Sequence, residues 1–146
     1  MALLAIDEIN VGDSYSETVL FDKKKVVDFI SFSQDTAGIH IDKNFSTEKG
    51  FDNLVVHGFC LSLQFSRILG LEMPGENTVI GNLNLDFYRP VYVGDQVQYS
   101  VTVKRVIKSL GSVILELKAS KKSDEEICVS GKAVCVFKIK ESHHGS

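Results

Sequence analysis

Between Asn82 and Phe137 apolar residues recur at every second position in four separate runs. Leu83, Leu85 and Phe87 alternate with Asn82, Asn84, Asp86 and Tyr88. The same period returns at Val97, Tyr99, Val101 and Val103, and again at Val113, Leu115, Leu117 and Ala119. It returns once more at Ile127, Val129, Gly131, Ala133, Cys135 and Phe137. A period of two, rich in β-branched residues, predicts strands with one face buried. Gly94-Asp95, Leu110-Gly111-Ser112 and Ser123-Asp124-Glu125 supply turn chemistry between the runs. Successive strands with short connections predict an antiparallel meander of all four, and a further strand is expected near Ser14–Leu20.

The first half changes to a helical period. Val26, Val27, Phe29 and Ile30 place apolar groups on one face after Asp22, which is suited to cap the helix start. From Phe59 to Leu69 apolar residues occur almost all round, with only Gln64 and Arg67 strongly polar, and Gly70 is expected to stand just past the end. A helix so apolar on every side is expected to be enclosed. A long antiparallel sheet beside one buried helix must curl around it, which gives an α+β architecture with a wrapped helix.

Composition narrows the class. A chain of 146 residues suits one domain, and a domain of that size buries about 70% of its unfolded surface. Nothing between residues 1 and 140 reads as a linker: the two prolines, Pro74 and Pro90, are isolated and no Ser/Gly-rich stretch divides the chain. Residues 141–146 lack apolar periodicity and are expected to form a disordered or appended tail, whose histidines are set aside. Cys60, Cys128 and Cys135 are too few and too irregular for a disulfide framework or a structural zinc site. A net charge of −3 argues against a nucleic-acid partner, and Lys23-Lys24-Lys25 and Lys121-Lys122 read as a solvated helix start and hairpin tip. No run approaches a membrane span, and the N-terminus has no secretory pattern, so a cytoplasmic location with no membrane partner is expected.

Two segments carry candidate chemistry. In Asp35-Thr36-Ala37-Gly38-Ile39-His40 the acid and the imidazole would diverge by about 140° on a helix and face opposite sides of a strand. They converge only if the backbone turns between them, which Gly38 would permit. A carboxylate beside a histidine can share the protons of one water. Spacing alone is equally met by Asp35 ending the first helix and His40 filling a polar niche. In Val55-Val56-His57-Gly58, glycine at the mouth of the apolar helix leaves backbone N–H groups open to a ligand, where the helix dipole favours developing negative charge. Tight packing alone would also explain Gly58, and His57 reads either as a hydrogen-bonded structural histidine or as a site wall. His40, Asp42 and His57 form a weak metal-ligand set without helical H-x-x-x-H spacing, so no metal is expected and Asp42 reads as a supporting or surface carboxylate. There is no G-x-S-x-G elbow, and Ser62 and Ser66 lie inside the helix.

Taken in order, Ser33-Gln34-Asp35-Thr36-Ala37-Gly38-Ile39-His40-Ile41-Asp42, Val56-His57-Gly58-Phe59, Ser66-Arg67-Ile68-Leu69-Gly70 and Leu85-Asp86-Phe87-Tyr88-Arg89-Pro90-Val91-Tyr92-Val93-Gly94-Asp95 resemble the MaoC-like, or (R)-specific enoyl-CoA hydratase, family. The first stretch is similar to the family's S-x-D-x-N-P-x-H-x-D and the last to its F-x-x-P-V-x-x-G-D. The resemblance spans about Ile9 to Phe137 and implies a hot-dog fold, a long antiparallel sheet wrapped around a central helix. It implies hydration of a trans-2-enoyl thioester to the (3R)-hydroxyacyl product, or the reverse dehydration, with Asp35 and His40 activating water. The Gly58 N–H would hold the thioester carbonyl, while His57, Phe59 and Ser66 would border the substrate. No cofactor is implied beyond the CoA or acyl-carrier-protein thioester, and a homodimer joined at sheet edges is expected.

The chain departs from the family where Asn-Pro becomes Ala37-Gly38. Alanine cannot supply amide hydrogen bonds, and glycine for proline adds unfolded-chain freedom of about 0.4–1 kcal/mol. Two alternatives remain beside the hydratase. A hot-dog thioesterase would usually carry an acid on or beside the central helix, and Phe59–Gly70 has none. A non-catalytic acyl-thioester-binding subunit would keep the pocket and lose the turnover.

Overall fold

The computed structural model describes residues 5–138, so the expected tail at 141–146 lies outside the described residues. Each alternating run forms a strand: β1 (Ser14–Leu20), β2 (Thr78–Phe87), β3 (Gln96–Ile107), β4 (Ser112–Lys121) and β5 (Ile127–Phe137). The helices are α1 (Lys23–Ser33), the short α2 (Gly38–Ile41) and α3 (Lys43–Glu48), and α4 (Gly58–Leu71). The N-cap of α1 is Asp22, whose carboxylate accepts the Lys25 N–H at 2.9 Å.

One face of the sheet and one face of α4 make the core. Val97, Tyr99, Val101 and Val103 of β3 and Val113, Leu115, Leu117 and Ala119 of β4 are fully buried, as are Phe65, Ile68 and Leu69 of α4. Each large aliphatic or aromatic side chain so enclosed contributes about 1.5–3 kcal/mol relative to exposure. Tyr99 fixes the helix on the sheet twice: its hydroxyl donates to the Leu61 carbonyl at 2.9 Å, and its ring meets Phe65 edge-on at 4.9 Å. The Arg67–Glu17 ion pair ties α4 to β1. Burial pushes the thiols of Cys60 and Cys135 up to about 11 and raises that of Cys128, as suits unreactive packing groups.

Four expectations are corrected. The sheet order is β1-β3-β4-β5-β2, all antiparallel, so the meander holds only β3, β4 and β5. β2 pairs with β5, and Tyr88–Asp95 carries the chain across to the other side of the sheet. That segment contains Pro90, which has no N–H for a ladder, and it is anchored on the way by Val56 N–H donating to the Val91 carbonyl at 2.7 Å. Secondly, α4 starts at Gly58 and runs through Gly70 to Leu71. Thirdly, α4 is not enclosed on every side: Phe59 is 80% and Leu63 50% exposed. Lys121 also departs from the solvated hairpin expected, since its ammonium lies over the Tyr92 ring and 3.2 Å from the Asp95 carboxylate. Among the described residues no helix is long and apolar enough to cross a membrane.

Candidate functional site

The bend between Asp35 and His40 is made by hydrogen bonds at both ends. After α1, Gln34 takes a left-handed conformation with φ 60° and turns the chain out of the helix. The Asp35 N–H then donates to Ser33 Oγ at 3.1 Å, and Asp35 Oδ1 accepts the Ala37 N–H at 3.2 Å. This turn leads into α2, which carries His40. Gly38 is therefore not the residue whose backbone freedom makes the bend; it is the first residue of α2 with an ordinary backbone. Its lack of a side chain matters for another reason. A Cβ there would lie 2.6 Å from the Phe45 ring of α3, so that ring fills the space a side chain at 38 would need. Asp42 caps α3, its Oδ1 accepting the Asn44 and Phe45 N–H groups at 3.0 and 3.2 Å, and the group that gathers around His40 holds Asp35 and His57 in its place.

Two imidazoles complete the centre. The His40 Nδ1 lies 2.5 Å from the Val55 carbonyl, whose own N–H donates to the Ile39 carbonyl at 2.9 Å. With Nδ1–H donating, Nε2 is left as the basic nitrogen of His40. His57 is 2% exposed and its Nε2 lies 2.9 Å from the Asp35 carbonyl. Its ring stacks on His40 at 3.6 Å, with Phe29 of α1 on it at 4.7 Å. Both readings of His57 thus hold: it is hydrogen-bonded in the structure, and it lines the cavity described below. Its Nδ1 is buried without a hydrogen-bond partner among the described residues. Burial lowers the His57 pKa, the neighbouring His40 lowers it further, and contacts with Asp35 oppose both. A neutral His57 is the consequence.

Side-chain atoms of Asp35, His40 and His57 lie within 4.8 Å of one another. They stand at one end of a cavity of about 460 Å³ that Gly58, Phe59 and Ser66 also line, so the six positions singled out in the sequence meet around one space. His57 is the N-cap of α4 but makes no side-chain cap, and the first-turn N–H groups of Gly58, Phe59 and Cys60 have no carbonyl one turn earlier. A ligand carbonyl at Gly58 would meet those N–H groups and the positive end of the α4 dipole. The rest of the wall is apolar, from Leu63 on α4 and Leu83, Leu85 and Phe87 on β2. Ser62 also lines it but spends its hydroxyl on the Gly58 carbonyl at 2.8 Å. Sequence reasoning missed the Val55 carbonyl, Phe29 and the β2 wall. The alternation of Leu83, Leu85 and Phe87 predicted a buried face, but Leu83 and Leu85 are only half-buried and Phe87 is exposed, because this face borders the cavity.

A family model described as MaoC like domain matches residues 8–126. The mitochondrial 3-hydroxyacyl-[acyl-carrier-protein] dehydratase of Arabidopsis thaliana is 28% identical over 131 residues, covering 88% of this chain and 78% of that protein. The (R)-specific enoyl-CoA hydratase of Aeromonas caviae is 31% identical over 100 residues, 68% of this chain and 75% of that protein. A solved structure of the (R)-hydratase from A. caviae involved in PHA biosynthesis matches with TM-score 0.84 and 28% identity, over 89% of this chain and 98% of that one. The five-stranded antiparallel sheet packed on α4 is the hot-dog fold of that hydratase, and the chain belongs to the MaoC-like domain family.

Proposed function

We propose that the protein hydrates trans-2-enoyl thioesters to (3R)-hydroxyacyl thioesters and runs the reverse dehydration. The observation that carries this reading is the meeting of the Asp35 carboxylate, the His40 imidazole and the bare N-terminus of α4 in one largely apolar cavity. A water held between Asp35 and His40 Nε2 loses a proton to the pair as its oxygen bonds to C3. The electron pair of the C2–C3 double bond moves toward the thioester carbonyl, giving an enolate-like oxygen at the Gly58 N–H. C2 then takes a proton back from the pair, so one water is added and nothing is left over. A positioned acid–base pair accounts for about 10²–10⁴ in rate, and one N–H donor to the developing oxyanion for about 2.7–4 kcal/mol. No metal or organic cofactor is needed for these steps. The names of the relatives, a hydratase of enoyl-CoA and a dehydratase of acyl-carrier-protein esters, support the same chemistry.

The test is hydration of crotonyl-CoA, followed as loss of enoyl absorbance with free thiol assayed in parallel. Asp35→Asn and His40→Ala should each lower kcat by about 10²–10⁴ with the melting temperature nearly unchanged. Thiol release in place of hydration would indicate a thioesterase, and binding without turnover a non-catalytic subunit.

A homodimer belongs to the same proposal. β2 is a sheet edge of 10 residues on which Val79, Ile80 and Phe87 are 46%, 38% and 52% exposed. An apolar edge of that length invites pairing with a second copy. Edge-to-edge joining of β2 would also shelter the neighbouring Phe59 and Leu63. Light scattering should give twice the chain mass.

A further inference from the structure

His57 is a buried ionisable side chain that the hydration steps above leave unused. Packing alone does not account for it. A carbonyl only accepts, so the ring nitrogen 2.9 Å from the Asp35 main-chain oxygen carries the proton, and Nδ1 is left as an acceptor. That acceptor is buried without a hydrogen-bond partner among the described residues. A phenylalanine would fill the same volume without burying an unpaired nitrogen, so what the imidazole adds is its Nε2–H.

The ring meets all three parts of the site. Its Nε2–H holds the Asp35 main chain from outside a turn whose own hydrogen bonds run through Ser33 Oγ and Asp35 Oδ1. Ala37 adds no polar side chain to that turn. Its face stacks on His40 at 3.6 Å with the planes 20° apart, while the Val55 carbonyl holds the edge of the same His40 ring. At the N-cap of α4, serine, threonine, aspartate or asparagine would turn an oxygen onto the first-turn N–H groups. An imidazole committed to Asp35 makes no such cap and leaves those groups for the thioester oxygen. The stack also has an electrostatic consequence. When the proton taken from water resides on His40, a neutral aromatic face beside it attracts that cation, whereas a second imidazolium 3.6 Å away would repel it. Burial, which lowers the His57 pKa, keeps that face neutral.

We infer that His57 is the positioning residue of this site: one ring fixes the Asp35 main chain through its Nε2–H and the His40 imidazole through its face, so that both members of the pair meet one water. This rests on the hydratase reading above. His57 exchanges no proton with water or substrate; it acts through Asp35 and His40.

Three variants take the two contacts apart. His57→Gln carries an amide nitrogen at a reach similar to Nε2, so it keeps the bond to Asp35 and loses the stack. His57→Phe keeps the stack and loses the bond, and His57→Ala loses both. With crotonyl-CoA, His57→Gln and His57→Phe should each lower kcat about tenfold and His57→Ala about 100-fold, with KM within about twofold of the wild type. Butyryl-CoA cannot be hydrated and reports the folded pocket: calorimetry should give the wild-type Kd and stoichiometry for all three variants. Wild-type kcat in the Gln or the Phe variant would overturn the inference, because one of the two contacts would then do nothing. Equal losses in all three, or losses of kcat matched by a falling stoichiometry for butyryl-CoA, would overturn it too, since His57 would then only hold the fold. A wild type that hydrates crotonyl-CoA no faster than His57→Ala does would sink this inference and keep the hydratase. A wild type that does not hydrate it at all would sink the hydratase, and this inference with it.

Discussion

The apolar side chains on the two long faces of α4 meet opposite fates. Cys60, Leu61, Phe65, Ile68 and Leu69 are buried against the sheet, whereas Phe59 and Leu63 are 80% and 50% exposed beside the catalytic cavity. The buried face holds the fold through close packing. The open face cannot be contributing much to the stability of a lone chain, because its side chains remain in water. Apolar character on that side belongs to what covers it: an acyl chain in the cavity, and in the proposed dimer a second copy. One helix thus serves as core on one side and as binding wall on the other, with His57 and Gly58 at its start, where the two faces meet.

Substitutions on the two faces should separate these roles. The largest effect is expected at Phe65, which is fully buried against Tyr99. Phe65→Ala should cost about 3–5 kcal/mol in urea unfolding, with Phe65→Leu clearly milder. An intermediate effect, conditional on pH, is expected at His57. Its folded-state pKa lies below the ordinary value of 6.5, so on acidification the unfolded chain takes up that proton before the native one does. Native stability is therefore full above about pH 6.5 and declines as pH falls from there toward the folded pKa. His57→Gln keeps a side-chain N–H for the Asp35 carbonyl but cannot titrate. Melting curves of this variant should flatten below about pH 6.5, and an unchanged slope would place the acid sensitivity elsewhere. The smallest stability effect is expected on the open face. Phe59→Ser with Leu63→Ser should change monomer stability by about 0.5 kcal/mol or less, while raising KM for medium-chain esters more than for crotonyl esters. A large loss of stability in this double variant would erase the distinction between the two faces.

How far the sequence foretold this arrangement depends on the kind of information each residue carries. Alternation at Val97–Val103 and Val113–Ala119 specifies which side of a strand is buried, and those side chains are buried. Alternation says nothing about which strand lies next to which, so the pairing of β2 with β5 was not legible. Asp35, His40 and Gly58 stood out because their residue types and order matched a motif, and the structure brings them to one cavity. The main-chain oxygens of Val55 and Asp35 that orient the two imidazoles left no trace, since any residue supplies a carbonyl. The exposure of Leu63 was hidden for a related reason: periodicity cannot tell a side chain packed by its own chain from one that awaits a partner.

The ring of Phe45 against Gly38 has a practical consequence for anyone engineering this protein toward its relatives. Proline at 38, taken singly from the family pattern, would push a pyrrolidine into volume that an aromatic from α3 already fills. Proline suits the first turn of a helix, and Phe45 is 40% exposed, so the swap succeeds only where that ring moves outward. Positions 38 and 45 are to be judged as a pair, and transplanting the consensus one letter at a time would overlook the second of them.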